Sequence, residues 1–588
     1  MKDQDQPIWD SGDHKLGAVK RGLPLTDLFD KYRYPKSAEI YSNLASILIG
    51  SGATAQALNA CRIAICLNPA LFEAGFNLAL CFREVKEIEL ACHWYQRSIR
   101  LQPAFARSWK NIGNVFVLLG REDLAEASFT EAIRLDSDDV MARVNLANLL
   151  QHRKELRKSQ DLLHEAILLE PSMAEAYGNL GNILREQKNH AAAEMAYRRS
   201  TAISPDFTEA LSNSGNLLRD LGRLDEAKIA LQKAICLRPE FADAYYNLGV
   251  TLYRCGTVEA AHRSYERAIH LKPDFAEAQL SRGFLFLAEG RYLEGWPYYE
   301  TRFEYPGFGL RRRLDNAPEW DGLASLSGKS VLLYAEQGLG DTIQFSRFAL
   351  VLEEMGARVT LEVQEPLKRL LKRLSNGVFV ISEQDPKVMY DYQLPLMSLP
   401  YRLNTTTETI PSCPQSLKPP PDVASRWRNR LGVAKRPRVG LVLSGNPEHV
   451  NDCIRSIPWC HIEKFLSLDV EFVCLQKELR SGDLKFIHET GGIRFFCDSI
   501  RDFVDTAALC MEMDLVLSVD TSVAHLAATL GRPTWVMLPS MPDWRWMIDR
   551  NDSVWYPTVK LFRKGFHESW ECFFEMLGKE IDSKLRLQ

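Results

Sequence analysis

Residues 171–205 read PSMAEAYGNLGNILREQKNHAAAEMAYRRSTAISP, and residues 205–239 read PDFTEALSNSGNLLRDLGRLDEAKIALQKAICLRP. Set one beneath the other, they share Asn179 with Asn213, Gly181 with Gly215, Ala193 with Ala227, and the closing Pro205 with Pro239. Working outward, Pro69, Pro103, Pro171, Pro205, Pro239 and Pro273 fall on one 34-residue lattice, with Ser137 in the single gap. Small residues recur at Ala45, Ala79, Gly113, Ala147, Gly181, Gly215, Gly249 and Gly283, and again at Ala57, Ala91, Ala125, Ser159, Ala193, Ala227 and Ala261. Larger apolar residues beside them (Leu44, Leu78, Ile112; Tyr95, Phe129, Tyr197, Tyr265) keep the 3.6-residue period of amphipathic helices. Each proline stops a second helix, so the lattice predicts a stack of two-helix units whose small residues let the helices approach closely.

These columns resemble the tetratricopeptide repeat, with about seven units over residues 38–275 and a degenerate eighth to about 305. The resemblance implies an all-α superhelix whose concave groove binds a peptide or partner protein. Asn43, Asn77, Asn111, Asn145, Asn179, Asn213 and Asn247 form one further column without a break. An amide offers two donors and an acceptor, so a row of them can hold an extended polypeptide by its backbone. The same column is equally open to a packing role between helices. It is similar to the asparagine ladder of the O-linked N-acetylglucosamine transferases, which also carry a catalytic domain after their repeats.

The 588 residues are 46% apolar and 25% charged, an ordinary globular composition spread over several domain-sized units. A formal net charge of −4 gives no field favouring nucleic acid. Thirteen scattered cysteines without a Cys-x-x-Cys pair fit free thiols rather than disulfides or structural zinc. The start, Met-Lys-Asp-Gln-Asp-Gln, lacks a secretory pattern, so a cytoplasmic protein is expected. The uncharged stretch from Ile40 to Cys61 falls inside the repeat lattice and reads as buried helix, not a membrane span.

Beyond Tyr305 the period changes. A polar junction (306–328) leads into short β-rich runs alternating with helical patterns, as parallel βαβ units do. Strands are expected at 330–335, 358–363, 438–443, 471–475, 514–519 and 534–538, in halves spanning 329–410 and 438–588 around a linker at 411–437, after a tail and lead-in helix at 1–37. Ligands of such sheets sit at strand carboxyl ends. Three loops qualify. In Gly338-Leu339-Gly340-Asp341 the glycines allow close backbone approach, and Asp341 is either a general base or a cap of a helix starting at Thr342. Asp520-Thr521-Ser522 opens a helix whose N-terminus suits a diphosphate, with His525 on the face of Thr521. Ser444-Gly445-Asn446, with Arg455 and Gln476-Lys477, can hold phosphate, ribose and base. The tryptophans near the C-terminus (Trp535, Trp544, Trp546, Trp555, Trp570) read as core or a packing seam before sugar stacking.

The combination EQGLGD (336–341), SGN (444–446) and SVDTSVAHLAATLGRP (518–533) is similar to the GT-B glycosyltransferases of the heptosyltransferase type, and to bacterial proteins that fuse such a domain to tetratricopeptide repeats. The resemblance implies a multidomain chain in which an α/β GT-B fold of two Rossmann-like halves follows the repeats. It implies inverting, metal-independent transfer of a sugar from a nucleotide diphosphate donor as co-substrate, with no bound cofactor. Asp341 would act as base, His525 as its catalytic companion, and Gly338, Gly340, Ser444, Gly445, Asn446, Arg455, Gln476, Lys477, Asp520, Thr521 and Ser522 would bind the donor. Ser522 stands where heptosyltransferases have glycine, and Arg455 where they have a donor-binding lysine. The expected acceptor is a polypeptide in the repeat groove; a glycan acceptor and a scaffold with an inactive or sensing domain are the alternatives.

Overall fold

The computed structural model describes residues 37–313, 317–385, 389–414, 416–448, 452–565 and 568–585. The expected tail and lead-in helix at 1–37 lie outside these apart from Ser37. The chain divides into two compact units, Met1–Leu217 and Leu218–Gln588.

In the first unit, helix pairs run from Ala38–Gly50 with Thr54–Leu67 to Ala174–Glu186 with His190–Ile203, each starting 34 residues after the last. Every second helix stops two residues before its lattice proline, or before Ser137. The small columns sit where helices touch: a Cβ added at Gly181 would lie 2.6 Å from the Tyr197 ring, and one at Gly113 equally close to Phe129. First helices end on a residue with positive φ, Gly52 (75°), Lys86 (62°), Gly120 (67°), Lys154 (63°) and Lys188 (61°). An L side chain in this region costs roughly 1 kcal/mol, and glycine is exempt. Lys188→Gly should therefore stabilise the array by ~0.5 kcal/mol or more, net of glycine's greater chain entropy, read as a higher urea midpoint at unchanged slope.

The second unit begins with the remaining pairs, including Ala242–Arg254 with Val258–Leu271 and Ala276–Ala288 with Tyr292–Tyr299. The last helix carries Pro297 and tightens into a 3₁₀ turn at Glu300–Phe303. Two all-parallel sheets follow. The first has strands β1 Ser330–Tyr334, β2 Arg358–Glu362, β3 Val378–Ile381 and β4 Tyr392–Pro395 in the order β3-β2-β1-β4. The second has β5 Arg438–Val442, β6 Glu471–Cys474, β7 Ile493–Arg494, β8 Leu515–Val519, β9 Thr534–Leu538 and β10 Val559–Arg563 in the order β10-β9-β8-β5-β6-β7. Strands β5, β8 and β9 are buried along their whole length, which is why they read as unbroken apolar runs. This second order is the doubly wound 3-2-1-4-5-6 arrangement, whose direction reverses between β5 and β8.

Four strands carry too little pattern to be expected from sequence: β3, β4, β7 and β10. The helix expected from Thr342 starts earlier and is two pieces, Leu339–Phe345 and Arg347–Glu354. At their junction the buried Arg347 donates to the carbonyls of Gln344, Pro411 and Trp555. Trp544 and Trp555 pack with Tyr292, Trp296 and Phe345, so the last helix pair shares one core with the sheets. Trp546 is buried in the same core, Trp535 in that of the second sheet, and half-buried Trp570 packs against the latter, so these residues serve as core rather than as a sugar platform.

Candidate functional site

Each sheet has one point where its winding reverses, and the loops leaving the strands there are the natural ligand site. In the first sheet this point lies between β1 and β4. It is filled from the repeat side. Arg302, fully buried, donates to Glu300 (2.6 Å), Glu336 (3.0 Å) and Ser398 (2.7 Å). Glu336 follows β1 and also accepts the Met397 N–H at 3.2 Å. Its second oxygen, Oε2, finds no partner among the described residues. Burial pushes this carboxyl up to about 7 even though Arg302 favours its charged form.

In the second sheet the reversal lies between β5 and β8, and several of the expected donor residues meet there. Ser444 and Gln476 are tied to each other, the amide donating to the Ser444 hydroxyl at 2.8 Å while its oxygen accepts the Leu443 N–H at 2.8 Å. Arg455 lies over Gly445 and donates to the Asp520 carbonyl at 3.1 Å. A Cβ at Gly445 would come within 2.6 Å of the guanidinium. Gly445→Ala should thus cost only about 1 kcal/mol, since the guanidinium end can swing away, but should detach Arg455 from Asp520. A crystal structure of the variant checks the detachment and a thermal melt the cost. Thr521 is the N-cap of the helix Ser522–Thr529, but its hydroxyl pairs with Ser518 (3.0 Å) rather than with a helix N–H. Asn446 is exposed and caps its own turn through the Glu448 N–H (3.0 Å), and Lys477 reaches the Arg501 carbonyl (3.3 Å). These two stand apart from the cluster.

His525 departs from the expectation that its ring faces an anion bound at the Thr521 turn. It is 3% exposed, stacked on Trp546 (centroids 5.1 Å apart), with Nδ1 2.9 Å from the Tyr556 hydroxyl and Nε2 3.8 Å from Asp520. Burial raises the Asp520 carboxyl, but His525, then Trp546 and last the Arg545 charge together more than offset it and hold it below the usual range. The ring braces the turn from behind.

Asp341 is also committed. The helix begins at Leu339 with Gly338 as N-cap, so Asp341 is its third residue, and Oδ2 accepts the Gly338 N–H at 2.9 Å. The capping reading is right in kind, one turn earlier than expected. Oδ1 pairs with Arg545 at 2.5 Å, and Arg545 also binds Asp543 at 2.7 Å. The glycine-flanked loop of Asp341 and the Thr521 turn do face one another, and they touch. A Cβ at Gly340 would lie 3.0 Å from His525 and 3.3 Å from the Ser522 Cα. The turn carrying Gly340 thus packs directly against the start of the helix at Ser522. Arg545 was missed from sequence. The available signal was its place between two tryptophans and two residues after Asp543, in a loop following β9.

The asparagine column lies along the first helices and binds neighbouring units. Asn77 donates to the Ser42 carbonyl (3.0 Å), Asn145 to Asn114 (3.0 Å) and Asn213 to Asn182 (2.9 Å). Asn111 instead accepts from Arg83 (3.1 Å) and donates back to Arg107 (2.8 Å). Asn43 is exposed, and Asn179 Nδ2 finds no partner among the described residues. Asn247 also engages in an interaction. The column therefore does at least part of the packing work, with Asn77, Asn145 and Asn213 each spending a donor on the neighbouring repeat.

Models of the tetratricopeptide repeat match residues 106–139, 144–206 and 242–275, and a TPR repeat model matches 215–256. The chain contains tetratricopeptide repeats. Protein FlbA of Caulobacter vibrioides is 27% identical over 317 residues, covering 50% of this chain and 53% of FlbA. The chain thus spans about half the length of that curated relative. Among solved structures, the APC/C hetero-tetramer Cut9–Hcn1 aligns at 16% identity over 42% of this chain and 49% of the matched one, with a TM-score of 0.38. YrrB, a TPR protein with an unusual peptide-binding site, aligns at 24% identity over 32% of this chain and 97% of its own, with a TM-score of 0.25. Tetratricopeptide repeats are interaction scaffolds, and the repeats here present such a surface ahead of the parallel sheets. Among the described residues no helix is long and apolar enough to cross a membrane.

Proposed function

We propose that the chain is a glycosyltransferase of the GT-B kind. The tetratricopeptide repeats hold a polypeptide acceptor, and the α/β region transfers a sugar to it from a nucleoside diphosphate donor. The observation that carries this reading is the convergence of Ser444, Gly445, Arg455, Gln476, Asp520 and Thr521 on the β5/β8 reversal, where doubly wound sheets bind nucleotides. Backbone N–H groups at the start of Ser522–Thr529 and the Arg455 guanidinium supply the positive charge a leaving diphosphate requires. Asp341 would act as base towards an acceptor hydroxyl once its pairing with Arg545 is released. The amide hydrogens and oxygens that the asparagine column does not use between repeats would meet the acceptor backbone.

A second reading is a scaffold whose α/β region binds without turnover. It is favoured by the contact of Gly340 with the Ser522 turn and by the engagement of both Asp341 oxygens. The two are separated by incubating the full chain with a panel of labelled nucleoside diphosphate sugars and candidate polypeptides, and reading label transfer by mass spectrometry. Transfer that Asp341→Asn abolishes supports the enzyme. Donor binding without transfer or hydrolysis, identical in the variant, overturns it in favour of the scaffold.

A further inference from the structure

Arg545 bridges two carboxylates, one after β1 and one after β9. Its Nη2 pairs with Asp341 Oδ1 across the two sheets, its Nη1 with Asp543 Oδ1, and its charge is felt by Asp520. The side chain is nine-tenths buried, and Nε finds no partner among the described residues. The Trp544 ring lies 4.5 Å from the guanidinium, which keeps the fork in place at the carboxyl edge of β9. A buried guanidinium cannot give up a carboxylate for nothing, because it would be left uncompensated. It can exchange one carboxylate for another anion, and its planar fork suits phosphate oxygens as well as carboxylate oxygens.

Resting on the transferase reading, we propose that Arg545 is a donor-binding residue that exchanges Asp341 for a phosphate oxygen of the nucleoside diphosphate, so that donor binding sets the base free. In this exchange Asp341 Oδ1 leaves the Nη2 donor, a phosphate oxygen takes it, and Asp543 stays on Nη1. The base is uncovered only when there is a sugar to transfer. The 338–341 loop moves off the Ser522 turn in the same step, because Asp341 and Gly340 belong to one turn of helix.

Calorimetric titration of the full chain with UDP, GDP, ADP, CDP and inorganic pyrophosphate tests the exchange in wild type, Asp341→Asn, Arg545→Gln and the double variant. Binding in Asp341→Asn should be at least tenfold tighter than in wild type, since the diphosphate no longer displaces a carboxylate. Arg545→Gln should weaken it at least tenfold, and in that background Asp341→Asn should bring no gain. A gain that persists without Arg545 is a plain charge effect and overturns the exchange, as does unchanged affinity in Asp341→Asn. If Arg545→Gln does not fold, Arg545→Lys serves as the background, where the gain should fall below threefold. Sugar transfer with no gain in Asp341→Asn removes the exchange alone, whereas no binding of any of the five probes to any variant removes the transferase reading with it.

Discussion

Arg302→Met should destabilise the Leu218–Gln588 unit by about 3–5 kcal/mol, the usual cost of removing one partner from a buried ion network. Arg302 is wholly buried and joins Glu300, from the 3₁₀ turn after the last repeat helix, to Glu336 and Ser398 at the carboxyl ends of β1 and β4. Methionine matches much of its volume but supplies no donor. Glu336 would then face only Met397 N–H, and Glu300 would keep Ser398 and Arg312. The loss should be smaller at pH 5 than at pH 8, because protonation relieves the stranded Glu336. Urea denaturation at the two pH values measures both the loss and its pH dependence.

The second large effect concerns pH alone. Folding moves the Glu336 carboxyl from its ordinary 4.5 up to about 7. Between these values the folded state binds the proton and the unfolded state does not, so this group's contribution is fully present below 4.5 and is lost as pH rises through 7. The loss amounts to about 3 kcal/mol over that window, since each pH unit across it removes about 1.4 kcal/mol. Glu336→Gln keeps the shape and the acceptor for Arg302 but cannot ionise, so its stability should fall less steeply between pH 4.5 and 7, and it should be more stable than wild type at pH 8. Denaturant midpoints over that pH range check this; parallel curves for the two proteins would place the titration elsewhere.

The repeats were legible almost to the residue because one set of constraints is imposed again every 34 residues. The same small residue must meet the same ring, and the same proline must end the same helix. Strands β1, β2, β5, β6, β8 and β9 were legible because parallel strands covered on both faces read as apolar runs. By contrast β4 is Tyr392-Gln393-Leu394-Pro395, whose buried glutamine donates through Nε2 to the Arg313 and Ala317 carbonyls, 80 and 76 residues earlier. No local pattern records that. The candidate site divides in the same way. The loops carrying Ser444, Gly445, Asp520 and Thr521 were legible because the ends of β5 and β8 are visible in sequence. The pairing of Asp341 with Arg545 spans 204 residues and left no periodic trace. The orientation of His525 was not legible, because which way its ring is held depends on Trp546 and Tyr556, more than twenty residues downstream.

The central claim is that the loops after β5 and β8 bind a nucleoside diphosphate sugar. Titrating the full chain with UDP-, GDP-, ADP- and CDP-sugars by calorimetry, with Gly445→Ala alongside, tests it most directly. The account predicts saturable one-to-one binding of at least one donor, weakened at least tenfold when the added methyl drives Arg455 off Asp520. Binding that is equally tight in the variant, or no binding of any donor, would contradict it.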